Sequence, residues 1–406
     1  MGKQETIRSK SWYKWVVCIT ATFIMFCSIG LTVSSFAIYL PFVQAQNGFS
    51  ATQTNMLLSF RTILQLLGVL SISKFYKVFS YRIGAAIAMV VLFCGFALYG
   101  FASSYPMYVA AAMLCGLGCG LSGTVGSLII TEWFTENRAT AIGICSAGSG
   151  IASIVMPIVV TQLVTNFSLR ASFVIEACFV LLVGFAVLIV ISRGPNAVAK
   201  ASPEANKVAT KKKKEKNFRI SIQLVVMMIA GLFLVGFAIT GITGAMSQLL
   251  REDFSAGTTS LLVTIFGITL FVGKIVYGRL VDKIGLIKTN LISYICLFVG
   301  TLGMFLLHEN VVYLVVWIAC MGFGCPLATV AMPLLASDSA TPGRYVNTLK
   351  ICSLFTSGGG LIVSYVTGAL TDLTHSYAAV FLVLAIAAVA SALLVEVAAK
   401  KIPKAA

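Results

Sequence analysis

What most limits the fold of this chain is its series of long apolar runs. Twelve stretches are nearly free of charge: 15–42, 54–73, 83–103, 106–131, 139–165, 171–192, 221–247, 258–279, 288–307, 311–335, 345–371 and 376–398. A helix crosses a bilayer's hydrocarbon core with about 20 apolar residues. Within hydrocarbon every backbone N–H and C=O needs a partner in its own segment or a closed sheet, so such runs become helices. The expected fold class is an all-α membrane protein with twelve transmembrane helices, called spans one to twelve below. Composition agrees, since 10% of the residues are charged against about 25% in soluble domains. The first run is too long for a signal peptide's core and lacks a cleavage site, so it is expected to stay in the membrane.

The runs form two sets of six. "FSATQT" at 49–54 returns as "FSAGTT" at 254–259, 205 positions later. At the same lag Leu57 meets Leu262 and Gly68 meets Gly273. "GLGC" at 116–119 meets "GFGC" at 322–325 at lag 206, and "ICS" at 144–146 meets "ICS" at 351–353 at lag 207. A lag drifting by so little marks two copies of a half-chain unit. Six is even, so both copies enter the membrane from the same side as parallel repeats. The expected organisation is an N-terminal six-helix bundle at 1–192, a basic linker at 193–220 and a C-terminal six-helix bundle at 221–406.

Charge sets the orientation. Of the 29 Lys and Arg, 24 fall at the N-terminus, in the even-to-odd loops and at the C-terminus, while Arg170 and Arg251 fall on the opposite face. Positive loops stay in the cytoplasm, so both termini are expected there, in a cell membrane and most simply a bacterial inner membrane. The net charge of +16 then reflects topology rather than nucleic-acid binding. "KKKKEK" within the linker has two readings: a solvated segment obeying the same bias, or a site for anionic lipids at 211–219. A monomer is expected. All eleven cysteines lie in apolar runs as small packing residues. Cys115 and Cys119 are a turn apart but have no His or carboxylate with them, so no metal site, no cofactor and no enzyme activity are expected. Both histidines, His308 and His375, fall in short loops.

Three basic residues remain inside spans: Arg61, Lys274 and Lys350. Each costs about 2.5–3.5 kcal/mol at a helix centre. Their repeat partners, Phe266, Val69 and Gly143, are uncharged. The cations are therefore additions to the repeated scaffold, as a grafted site would be. Glu176 is the acid well inside a span, whereas Glu132 and Glu396 sit at span ends. Three cations against one acid leave a positive interior that an anionic ligand would balance. Arg61 has other outcomes, since it can snorkel outward or pair with Glu176; Lys274 and Lys350 can likewise reach an interface. Tyr39, Ser146, Ser149, Gln248, Trp317 and Ser353 are the polar neighbours that could complete a pocket. Gly116, Gly120 and Gly123 lie at i, i+4 and i+7 on one face of span four, a pattern for close helix packing.

"GRLVDKIG" at 278–285, after the eighth run, resembles the signature of the major facilitator superfamily. The resemblance implies a gate at this loop. Gly278 would let helices approach, and Asp282, with Arg279 beside it, would cap a helix or pair with a cation in one access state. The first-half counterpart, "SKFYKVFS" at 73–80, has Ser73 for the glycine and Lys77 for the acid. "WFTENRATAIGICSAGSGIASIVMP" at 133–157 resembles the fifth span of the monocarboxylate transporter and oxalate/formate antiporter group.

That resemblance implies a secondary transporter with a midplane cavity, worked by rocking one bundle against the other. The implied substrate is a small organic anion, a mono- or dicarboxylate, carried by exchange or facilitated diffusion. Proton-coupled monocarboxylate symport is the alternative, and a non-transporting membrane sensor is the alternative of another class. Lys274 stands where the group carries an arginine one turn before the motif glycine. Lys350 precedes "SGGG" at 357–360 as a lysine does in the oxalate exchanger type. Both are thereby implied as carboxylate ligands, with lysine's point charge replacing the guanidinium fork. Two departures bear on coupling. Phe36 stands near the place of a span-one lysine in animal-type members, and spans seven and eight offer no acid near Lys274. Transport without obligatory proton coupling is the expectation.

Overall fold

A computed structural model describes residues 12–49, 51–192, 222–306, 310–339, 345–374 and 376–401. The basic linker, the anionic-lipid segment at 211–219 and both histidines lie outside the described residues. Within them, 12 helices are long and apolar enough to cross a membrane, and every regular element is helical. Span one covers 13–47 and span two Ala51–Val78. Spans three to six are Tyr81–Phe101, Tyr105–Trp133, Arg138–Asn166 and Leu169–Val190. Spans seven to nine are Ile222–Asp253, Ala256–Ile284 and Leu286–Leu306. Spans ten to twelve are Val311–Ser339, Tyr345–Thr374 and Ala378–Lys401. Most helices outrun their apolar stretch. Hydrocarbon sets only the apolar length, and the backbone keeps its helix into the polar flank until a cap stops it.

The second copy of "FSA" holds such a cap. Both copies start a span at the alanine, Ala51 and Ala256. Ser255 accepts the N–H of Thr258 at 3.4 Å. Ser80 and Ser168 cap spans three and six in the same way. Gly48, at φ 65°, ends span one, and Gly285, at φ 89°, ends span eight. Only glycine enters that region of backbone space without a steric penalty.

The chain divides into two compact units, Met1–Lys216 and Asn217–Ala406, each packed through the same glycine seams. Lipid tails are as apolar as leucine, so membrane helices associate through close packing of small residues. In the first unit spans two and four are in close contact. A Cβ on Gly116 would strike the Arg61 backbone, one on Gly120 the Gln65 carbonyl, and one on Gly68 the Leu117 carbonyl. Gly123 has left this seam. Span four breaks its helix between Ser122 and Val125, and the closest atoms from another span are those of Ile29, at 3.8 Å. The expected three-rung ladder therefore has two rungs.

The second unit repeats the seam, with Gly273 of span eight against the Gly322 carbonyl and Phe323 of span ten. A second seam joins spans one and five, where Gly30 faces Ala152 and Gly148 faces the Thr22 carbonyl. Its counterpart joins spans seven and eleven, where Gly236 faces the Thr356 carbonyl and Gly359 the Phe233 carbonyl. Gly30 to Gly236 is lag 206 and Ala152 to Gly359 is lag 207. The drifting sequence lag thus tracks one contact made twice.

Two spans depart from α-helical winding. Span one is π-helical over Phe26–Ser35, and span ten over Leu327–Ala331, just after Pro326. The wider register turns carbonyls away from their usual partners, so π segments collect at functional positions.

Candidate functional site

Arg61 lies on span two, 9% exposed, with its backbone against Gly116 of span four. Its Nη1 donates to the Thr32 carbonyl at 2.7 Å. Thr32 belongs to the π-helical part of span one, where the N–H of Phe36 reaches back to the Leu31 carbonyl five residues away. The widened register leaves the Thr32 carbonyl open to a guanidinium. Nη2 donates to Thr62 Oγ1 at 3.4 Å, while Nε is buried without a hydrogen bond.

Glu176 of span six does not pair with Arg61. Its Oε1 accepts from Tyr39 Oη at 2.8 Å and from Ser35 Oγ at 3.3 Å. Tyr39 Oη also bonds Ser172 Oγ at 2.6 Å. The two buried side chains hold span one separately, Arg61 at Thr32 and Glu176 at Ser35 and Tyr39. Snorkelling is not the arrangement seen for Arg61, because the Thr32 bond draws it into the bundle.

An aromatic stack backs this polar face. Phe36 stacks on Tyr99 at 4.8 Å, Tyr99 on Phe173 at 5.2 Å, and Phe173 on Tyr39 at 4.1 Å between ring centroids. Phe36, standing where the resemblance sets a lysine in other members, is thus a packing residue of the first bundle.

In the second unit Lys274 of span eight is 2% exposed. It follows Gly273 in the seam with span ten, and Cys325 of span ten lies within electrostatic reach of its ammonium. Lys350, the sixth residue of the Tyr345–Thr374 helix, is half-buried. Spans eight and eleven each pack against span seven, which places both lysines in one helical bundle. Ser353 is buried, with Oγ 3.7 Å from Met332 Sδ of span ten. Trp317 sets its ring over Gly303 of span nine, and its Nε1 is buried with no hydrogen bond among the described residues. Gln248 is exposed. Ser149 donates within its own helix, to the Ser146 carbonyl at 3.0 Å. Gly278 is buried near the end of span eight, and Arg279 and Asp282 are exposed on the same helix.

Sequence reasoning singled out Tyr39 and Glu176 separately and missed their connection. A signal was present: Ser28, Thr32, Ser35 and Tyr39 lie at i, i+4, i+7 and i+11, a polar stripe on one face of an apolar run. The stripe is a chain of contacts. Ser28 Oγ bonds Ser122 Oγ at 2.5 Å, Thr32 Oγ1 donates to the Ser28 carbonyl, and Ser35 and Tyr39 hold Glu176.

Twelve spans in two repeated bundles, with a buried cation in each, describe a transporter fold. The model of the Major Facilitator Superfamily matches residues 22–230 and 228–405; the chain belongs to that superfamily and is a multi-pass membrane transporter. Among its relatives, monocarboxylate transporter 12 of Xenopus laevis is 25% identical, over 91% of this chain and 85% of that protein. The MFS-type transporter YhjX of Escherichia coli strain K12 is 24% identical, over 61% of this chain and 62% of its own length. The structure of the proton:xylose symporter XylE bound to 6-bromo-6-deoxy-D-glucose superposes with a TM-score of 0.80, at 14% identity and 97% coverage of both chains. That of FucP in the outward conformation gives 0.71 at 14% identity, covering 97% of this chain and 99% of that one. The structural likeness establishes the fold.

Proposed function

We propose that this transporter carries a small organic anion, a mono- or dicarboxylate, by exchange across a cell membrane with both termini in the cytoplasm. The observation that carries the reading is Lys274, a cation 2% exposed within an apolar bundle. A carboxylate reaching span eight meets this ammonium, with Lys350 on span eleven as a second ligand. Ser353 and Trp317 contribute polar atoms in the same bundle as the two lysines.

The name of the Xenopus laevis relative supports the substrate class. Exchange, rather than obligatory symport, is favoured by the apolar run 221–247 of span seven and by span eight before Lys274, neither of which contains Asp or Glu. The deciding experiment is a thermal-shift screen of carboxylates on the purified protein, followed by counterflow in liposomes without a pH gradient. Stabilisation by a small carboxylate and label exchange at equal pH are expected. Stabilisation by neutral sugars or cations alone would overturn the substrate class.

Asp282 serves as the gate residue in this reading. Asp282→Asn should slow counterflow severalfold while carboxylate binding stays within a few-fold of wild type. Loss of binding in a folded variant would remove the gate assignment.

A further inference from the structure

The buried acid of the first bundle has no part in the anion site, and its surroundings point to a role of its own. We propose that Glu176 is a protonation site, with the proton carried on Oε2, and that its occupancy sets how span six holds span one. This rests on the chain being a transporter and not on its substrate being a carboxylate.

Glu176 is 4% exposed. Its two donors, Tyr39 Oη and Ser35 Oγ, both serve Oε1. Oε2 is buried and has no hydrogen bond among the described residues. An ionised carboxylate offers about four acceptor positions across its two oxygens. Here one oxygen is served twice and the other is bare. That asymmetry suits a carboxylic acid, one oxygen accepting and the other bearing hydrogen.

Among the described residues, the groups facing Glu176 offer no cation in contact. Tyr39 and Cys27 face it from span one and Cys115 from span four. From span three comes Tyr99, stacked on Phe173 one turn before Glu176. Span five carries two titratable residues, Arg138 and Cys145, both among the first eight of its 29 residues. Glu176 is the eighth residue of the helix that starts at Leu169, toward the opposite end of this antiparallel pair. Arg61 of span two also lies near Cys115, but its Nη1 is bonded to the Thr32 carbonyl.

Protonation forms one O–H bond on Oε2 and breaks no bond in the protein; the proton comes from water and returns to it. In the protonated state the acid stays docked on Tyr39 and Ser35. On release, the carboxylate needs a new donor at Oε2. Arg61 supplies one, because its Nε is buried without a hydrogen bond among the described residues. Drawing the guanidinium toward Glu176 takes it from Thr32, one turn before Ser35 in the π-helical segment. One proton thereby exchanges two separate grips on span one for an ion pair between spans two and six.

The test is infrared difference spectroscopy on the full-length purified protein, following the carboxylic-acid C=O band as pH is raised and lowered. The wild type should show a band that disappears reversibly at high pH. Glu176→Gln should lack it. Tyr39→Phe, which removes one donor to Oε1 and keeps the acid, should retain the band at a shifted frequency. A pH-dependent band that persists unchanged in Glu176→Gln would overturn the assignment, as would an unshifted band in Tyr39→Phe. In Arg61→Gln the ionised state loses its partner, so the band should persist to higher pH by at least about one unit. Titration at the wild-type pH in that variant would refute the exchange of partners while Glu176→Gln still decides the proton site. None of these readouts requires a transported substrate, so they stand apart from the carboxylate screen.

Discussion

Arg61 illustrates how a cation is kept inside a bundle without an acid on it. The π-helical stretch of span one frees a backbone carbonyl, and the guanidinium takes it at 2.7 Å. Removing the side chain leaves that carbonyl buried and unsatisfied, a loss of about 1–3 kcal/mol. Arg61→Gln should lower unfolding stability by that amount, and Arg61→Lys, which keeps one charged donor, by less; equal losses in a denaturation series would mean that the Thr32 bond contributes nothing.

The two lysines of the second bundle make a different claim. If they share one anion, Lys274→Gln and Lys350→Gln should each weaken carboxylate binding by roughly 10- to 150-fold, the equivalent of about 1.5–3 kcal/mol for one charge-assisted bond. The double variant should lose less than the sum, since the second removal acts on a ligand already half-released. Additive losses would place the lysines at separate sites. Near-wild-type binding in both single variants would end the anion-site reading.

The helices themselves depend on glycine where two backbones meet. Gly116 and Gly359 have neighbouring backbone atoms closer than a Cβ could sit, whereas Gly244 and Gly368 have nothing within 4 Å of that position. Overpacking costs typically about 1–3 kcal/mol, and backbone atoms cannot move aside as a flexible side chain does. Gly116→Val and Gly359→Val should therefore lower the melting temperature of the purified protein by several degrees. Gly244→Ala and Gly368→Ala should leave it unchanged or raise it, since alanine is the better helix former by about 1 kcal/mol. A similar fall in all four would show that the seam contacts do not set Gly116 and Gly359 apart, since helix propensity alone favours each replacement. Gly68 and Gly116 were legible in the sequence because Gly273 and Gly322 repeat them at a nearly constant lag. Gly123 was not, because the i, i+7 rule assumes an unbroken helix and span four is interrupted at that residue.

At the scale of the whole chain, the charge distribution leads to a topology that a single reagent can test. Asn206→Cys places a thiol in the basic linker, and a membrane-impermeant maleimide should label it only after sealed cells are opened. Labelling from outside would reverse the orientation proposed for both termini. Twelve crossings, their grouping into two copies and the helical class were all determined by the sequence alone. Apolar length, charge bias and repetition are properties of the chain that need no knowledge of neighbours. The buried cations were visible for the same reason, as charges where the repeat has none. What held them was decided only by the tertiary structure. The Thr32 carbonyl is available because span one winds as a π-helix, and Glu176 meets Tyr39 and Ser35 because spans one and six present those faces to each other. Winding and rotational phase are settled by packing among several helices at once, so no periodicity within one span contains them.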